Sequence, residues 1–147
     1  CSIEMVEAVG QAYWPSYFGA LARLLKPGGR ACVQSIVIDD ALFERYVQGT
    51  DFIQQYVFPG GCLPSPARFR AAAQQAGLRV VEEFAFGPDY AETLRRWHRQ
   101  FTERRAQVLA QGFDAAFLRT WEFYLAYCEA AFDSRNIDVV QYTLVKD

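Results

Sequence analysis

Leu24-Leu25-Lys26-Pro27-Gly28-Gly29-Arg30-Ala31-Cys32-Val33-Gln34-Ser35-Ile36-Val37-Ile38 is the stretch on which the fold turns, because one pattern ends in it and another begins. Upstream, Trp14, Tyr17, Phe18, Leu21, Leu24 and Leu25 recur at steps of three and four, the spacing of one helix face. Lys26-Pro27-Gly28-Gly29 stops that helix: proline cannot continue it, and glycine supplies the left-handed turn beyond it. A helix is therefore predicted over 11–25. Downstream, Arg30–Ile38 is short and rich in β-branched residues, which reads as a buried strand. A helix that hands on to a buried strand points to an α/β fold.

Working outward, Asp39-Asp40 is an acidic pair suited to cap a helix over 41–46, with a continuation near Phe52–Tyr56. Residues 58–66, Phe-Pro-Gly-Gly-Cys-Leu-Pro-Ser-Pro, are dense in breakers and read as a loop. Ser65 and Pro66 then form an N-cap and first-turn pair for a helix through Gln75 that ends at Gly77. A strand follows over 78–86. Two long helices come next, one with Leu94, Trp97, Phe101 and Val108 on a face, the other with Phe117, Trp121, Tyr124, Cys128 and Phe132. Residues 137–145 close the chain as a strand. The two-helix insertion before that strand either covers a ligand site or packs on the sheet. No repeat shows at solenoid periods.

The 147 residues are one domain's worth, and 52% apolar with 22% charged residues excludes a disordered tail. Aromatics reach 16%, enough to build a large core or line an apolar ligand site. A net charge of −2 gives no field to hold a polyanion, which argues against nucleic acid as the main partner. The main basic cluster, Arg95, Arg96, Arg104 and Arg105, falls within one predicted helix. It reads either as a solvated face or as a contact for anionic lipid head groups. Cys1, Cys32, Cys62 and Cys128 form no CxxC pair, and the single His98 completes no zinc spacing. No signal peptide is visible in these residues, and no apolar run reaches the roughly 18 residues a membrane span needs. A cytoplasmic protein with reduced thiols is expected. The chain opens at Cys1 and its only methionine is Met5. Cys1-Ser2-Ile3 reads as the end of a strand, so the expectation is the C-terminal part of a longer protein.

Helix, Leu-Lys-Pro-Gly-Gly, then strand resembles the lead into the fifth strand of class I methyltransferases. Five further stretches narrow the resemblance. They are residues 2–10, the 58–65 loop, residues 86–97 (Phe-Gly-Pro-Asp-Tyr-Ala-Glu-Thr-Leu-Arg-Arg-Trp), residues 124–132 and residues 138–142. In this order they resemble cyclopropane-fatty-acyl-phospholipid synthases and the related mycolic acid cyclopropane synthases. The resemblance spans essentially the whole chain. It implies an α/β fold: the C-terminal half of a Rossmann-like class I methyltransferase sheet, with a helical insertion before the last strand. Residues 1–147 would then be the C-terminal part of a single methyltransferase domain. The glycine-rich loop that cradles S-adenosylmethionine, and the acidic residue that holds its ribose, have no counterpart here. The isolated chain is expected to be inactive. The implied activity is S-adenosylmethionine-dependent methyl or methylene transfer to the cis double bond of an unsaturated lipid acyl chain, with a bound bicarbonate as base. Phospholipid acyl chains at a membrane surface are the implied partner, the inner membrane face the implied place, and a homodimer an arrangement to test. Two rivals stand beside it: a non-catalytic lipid- or partner-binding helical module, and a methyltransferase of the same fold acting on another small apolar substrate.

By the same resemblance, Glu7 matches the glutamate that helps bind bicarbonate, and the backbone of Ile3 would contribute to the same ion. From the residues alone, Glu7 also reads as a first-turn carboxylate on the next helix, with Glu4 as the nearby competitor. Tyr90 matches a tyrosine whose hydroxyl holds the ion; otherwise it is an ordinary half-buried tyrosine. Gln34 stands where the family's strand carries histidine. It can donate and accept a hydrogen bond but cannot titrate near neutral pH, which leaves ring and methyl-branched products both open. Its other reading is a polar group satisfied by backbone within the sheet. Cys128 matches a cysteine proposed as catalytic, but no histidine or lysine lies near it in sequence, and a small core residue is the alternative. His98 falls one residue off the Leu94, Trp97 and Phe101 face and is expected at the surface.

Overall fold

In the computed structural model, which describes all residues Cys1–Asp147, the deciding stretch folds as its composition requires. A 3-10 turn, Gln11–Tyr13, leads into α1 (Trp14–Leu24), with Pro15 in the first turn. Gly28 adopts φ +72° and the chain enters β2 (Arg30–Ile38). The buried residues of α1 are Trp14, Tyr17 and Phe18 in its first half, with Leu21 and Leu25 half-buried. Leu24, in the last turn, is 83% exposed, against the expectation that it joins the stripe.

Beyond β2 come α2 (Phe43–Val47), α3 (Phe52–Tyr56), α4 (Pro66–Gln75), β3 (Leu78–Ala85), α5 (Gly87–Glu103), α6 (Arg105–Ala110), α7 (Ala115–Asp133) and β4 (Ile137–Lys146). A short β1 (Ser2–Ile3) precedes them. The sheet order is β1-β2-β4-β3, with β1 parallel to β2 and the other two pairings antiparallel. The fold is α/β with a mixed four-stranded sheet.

Local chemistry accounts for the helix boundaries. Ser65 accepts from Arg68 N as N-cap of α4, as predicted. The acidic pair acts differently from expectation. Asp39 closes its own turn by accepting from Ala41 N, while Asp40 accepts from Ala67 N in the first turn of α4. The helix α2 has no side-chain cap. Its expected continuation is a separate helix, α3, started by a capping box between Asp51 and Gln54.

The chain divides into two units, Cys1–Phe86 with Ile137–Asp147, and Gly87–Asn136. In the first, Val33, Val37, Tyr142 and Leu144 share one sheet face, and β2 and β4 are its central strands. Phe69 of α4 stacks on Tyr142 at 3.9 Å between centroids and takes the edge of Phe18 at 5.0 Å. In the second unit, α5 and α7 run antiparallel and are joined through α6. Leu118, Leu125 and Phe132 are buried every seventh residue, a helix-pairing spacing. Arg95 ties the pair by bonding Glu92 within α5 and both Glu129 and Asp133 of α7.

Two expectations for this unit are corrected. The predicted helix holding all four arginines breaks at Arg104, which separates α5 from α6. On α5 the buried steps run 87, 91 and 94 and continue to His98 and Phe101. His98 is thus half-buried, while Trp97 is 57% exposed. The sequence pattern placed these two the other way round, because a bulky aromatic in register resembles a core residue more than an imidazole does.

Candidate active site

The polar centre of the sheet unit forms where β1 ends. Ser2 and Ile3 pair with Val33 and Gln34, and the next residue, Glu4, turns sharply out of the strand with φ +50°. A glutamate is strained in that region. Gln34 holds it at two points: its carbonyl accepts from Glu4 N at 2.9 Å, and its Nε2 donates to Glu4 Oε1 at 2.9 Å. Gln141 of β4, directly opposite in register, donates its own Nε2 to Gln34 Oε1 at 3.0 Å. The Gln34 amide is therefore bonded through both its oxygen and its nitrogen by side chains, where the alternative reading of the sequence had backbone partners.

Three residues further on, Glu7 returns over β2. Ile36 N donates to its Oε1 at 2.5 Å. It caps no helix, since neither the 3-10 turn nor α1 takes a side-chain cap. Its backbone is held from the other side, where Cys62 N donates to Glu7 O at 2.8 Å. Cys62 belongs to the proline- and glycine-rich loop, itself pinned by Gln54 Nε2 to Gly61 O and by Leu63 N to the Tyr46 hydroxyl. A side chain at Gly61 would press on Phe58 O at 3.1 Å, which explains glycine there. The loop acts as a clamp on the glutamate.

The Glu7 Oε2 atom is buried with no hydrogen-bond partner. Burial pushes the carboxyl above its ordinary pKa, and the nearby Glu4 charge adds to the rise, outweighing the hydrogen bonds that oppose it. Tyr17 sits beside this region, with its hydroxyl donating to Ser2 Oγ at 2.8 Å. The structure thus brings Glu7, Gln34 and Glu4 into one neighbourhood and adds Gln141, which sequence reasoning missed. Alternation was the available signal: Gln141 lies between core-facing Val140 and Tyr142 and so must project from the opposite sheet face. The Ile3 side chain is exposed, so only its backbone can serve the site.

Tyr90 and Cys128 belong to the helical unit. Tyr90 is in the first turn of α5, half-buried, its ring 5.4 Å from that of Phe132. Cys128 lies one turn before Phe132 on α7, half-buried and in no disulfide. Both are at the end of the hairpin where it joins the rest of the chain.

A sequence model of the mycolic acid cyclopropane synthetase family matches residues 1–142. The chain is 46% identical over 149 residues to a Mycobacterium tuberculosis protein named tuberculostearic acid methyltransferase UfaA1, covering 99% of this chain and 34% of the relative. It is 32% identical over 142 residues to the cyclopropane-fatty-acyl-phospholipid synthase of Escherichia coli, covering 95% of this chain and 35% of that protein. Among solved structures, the mycolic acid cyclopropane synthase CmaA1 complexed with SAH and CTAB superposes with a TM-score of 0.88 at 27% identity, covering 99% of this chain and 54% of that one. The chain spans about a third of the length of the curated relatives it matches.

Proposed function

The chain belongs to the mycolic acid cyclopropane synthetase family, and on that premise we propose that it carries the proton-handling residues of an enzyme that adds a one-carbon unit to the cis double bond of an unsaturated lipid acyl chain and closes it to a cyclopropane. The observation that carries this reading is the buried, unpartnered Oε2 of Glu7. Leaving a carboxyl oxygen unbonded is costly unless a ligand completes it.

S-adenosylmethionine is the one-carbon donor the family implies. Gly28-Gly29 and Gly77 lie on helix-to-strand turns, not on the strand-to-helix turn where this kind of fold cradles a cofactor. The roles that follow concern only this chain's own side chains. Bicarbonate, when bound, supplies the base that accepts the proton leaving the new methyl group. Glu7 suits such an ion. Its Oε1 is fixed by Ile36 N and its Oε2 is free to meet the ion, while burial raises its pKa and so eases the sharing of a proton with a bound oxyanion. Gln34 and Gln141 fix Glu4, so the neighbouring carboxylate stays in place while Glu7 exchanges its proton. By the resemblance alone, Tyr90 would hold the ion through its hydroxyl, and Cys128 would match a cysteine proposed as catalytic. No helix is long and apolar enough to cross a membrane, so the acyl chain would have to be met at a bilayer surface.

A second reading, a methyl-branched product, is favoured by Gln34, which cannot relay a proton near neutral pH. The relative at 46% identity, named a tuberculostearic acid methyltransferase, points the same way. The test is incubation of the full-length protein, with this chain alongside, with S-adenosylmethionine and vesicles of an unsaturated phospholipid. A mass gain in the recovered lipid reports transfer, and the proton NMR spectrum separates a ring from a branch. Glu7→Gln is expected to lower turnover by about 10²-fold or more. Unmodified lipid, or a Glu7→Gln variant at the wild-type rate, would sink the proposal.

A further inference from the structure

We propose that the tip of the α5–α7 hairpin docks on an anionic lipid bilayer, with Leu109 and Phe113 entering the headgroup layer and unpaired arginines gripping the phosphates. The partner rests on the lipid reading above; the surface itself is read from the helical unit.

Charge is segregated along the hairpin. Residues 96–121, its distal part, hold five arginines (96, 99, 104, 105, 119) against two carboxylates, Glu103 and Asp114. The rest of the unit holds Arg95 and Arg135 against Asp89, Glu92, Glu122, Glu129 and Asp133. At the base the cation is consumed, since Arg95 bonds three carboxylates. Toward the tip, Arg96 pairs with Glu92 and Arg105 lies 3.6 Å from Glu122, but Arg99, Arg104 and Arg119 form no ion pair. Asp114 is occupied as the N-cap of α7. A positive excess therefore faces solvent at one end only.

That same end presents apolar side chains to water. Residues 106–113, Ala-Gln-Val-Leu-Ala-Gln-Gly-Phe, carry no charge. Within them Leu109 is 47% and Phe113 44% exposed. Gly112, at φ +94°, makes the turn that projects Phe113. Phe113 stacks on Phe117 at 4.4 Å, and Phe117 on Trp121 at 5.7 Å, so the projecting ring is braced from behind. Beside this ladder opens a groove of about 350 Å³, walled by Trp97, Phe101, Val108, Trp121 and Tyr124 with Arg104 at its side. Apolar tips with adjacent unpaired arginines, and an exposed tryptophan near them, match the layered chemistry of a bilayer interface. The groove runs along α5 and α7 to within one turn of Cys128, while Leu109 and Phe113 stand beyond its far end, away from Tyr90 and Cys128.

The experiment is co-sedimentation of the full chain with vesicles of phosphatidylglycerol and phosphatidylethanolamine, against vesicles of phosphatidylcholine, with tryptophan emission as a second readout. Wild type is expected to bind the anionic vesicles at least 10-fold more tightly. Leu109→Glu with Phe113→Glu should lose 10-fold or more of that binding while its circular dichroism melt is unchanged. Arg104→Gln with Arg119→Gln should erase the anionic preference and keep weak apolar binding. Three outcomes overturn the proposal: no vesicle binding by wild type, equal binding by the Leu109/Phe113 variant, or a loss of self-association in that variant without loss of vesicle binding, which would assign the tip to a second copy. Vesicle binding needs no turnover. A protein that binds vesicles without modifying lipid defeats only the catalytic reading, and one that modifies detergent-dispersed lipid but ignores vesicles defeats only the docking.

Discussion

The sheet unit hides polar side chains, and the helical unit displays apolar ones. Gln34, Ser35 and Ser65 are buried among strands and loops, and the Glu7 carboxyl reaches into the same interior. Trp97, Leu109, Phe113 and Phe123 stand in solvent on the hairpin. Both units break the inside–outside rule in places, since Leu24, Phe58 and Phe84 of the sheet unit are exposed too and Glu122 Oε1 of the hairpin is buried without a hydrogen bond. The exceptions are the informative residues, because a buried polar atom without a partner and an exposed apolar cluster both ask for a ligand. The difference also separates two tasks. The sheet can fix a carboxyl to a fraction of an ångström, since strands hold it by backbone bonds. The hairpin can offer area, since exposed rings adapt to a soft surface.

The largest expected effect sharpens the contrast in packing. Phe69→Ala should cost about 3–5 kcal/mol in urea unfolding, because Phe69 is fully buried between Phe18 and Tyr142. Leu125→Ala should fall nearer about 2 kcal/mol, because Leu125 already borders the groove on one side. Equal costs would mean the two interiors are packed alike, and reversed costs that the hairpin is the tighter one.

A smaller effect, of opposite sign, belongs to Glu7. Its pKa is raised in the folded state, so folding retains its proton and stability falls as pH rises from the ordinary carboxyl range through the raised value. Glu7→Gln should match wild type in acid and exceed it at neutral pH. A pH-independent gap between the two melts would remove the ionisation penalty from the account. The same variant should be catalytically poor, the trade expected where a site holds an unsatisfied group.

The smallest effect tests the hairpin's polar side. Arg95→Gln should lower the melting temperature slightly, and most of the loss should vanish in high salt, since two of its three partners, Glu92 and Asp133, are solvent-exposed. A salt-insensitive loss would mean the arginine acts through its packed alkyl stem instead.

Much of the sheet unit was legible because its signals are local. Proline and glycine stop α1, β-branched residues make β2, and Ser65-Pro66 starts α4. None of these needs a distant partner. The 58–66 loop was legible as a loop but not as a clamp, because its bond to the Glu7 carbonyl joins residues 55 apart in sequence. Glu7 and Gln34 came from motif resemblance. Gln141 escaped because its role exists only through the β2–β4 register. In the hairpin, periodicity found both helices and misplaced the buried face of α5 by one residue.

By itself the sequence determined the element order, the α/β class, the family and the residues worth watching, because periodicity, breakers and motifs act over a few neighbours. The tertiary structure alone decided that Gln34 is held between Glu4 and Gln141, that one oxygen of Glu7 is buried without a partner, and that Leu109 and Phe113 stand exposed while Arg99, Arg104 and Arg119 form no ion pair. Those are properties of distance and burial between residues far apart in the chain, and no local pattern encodes them.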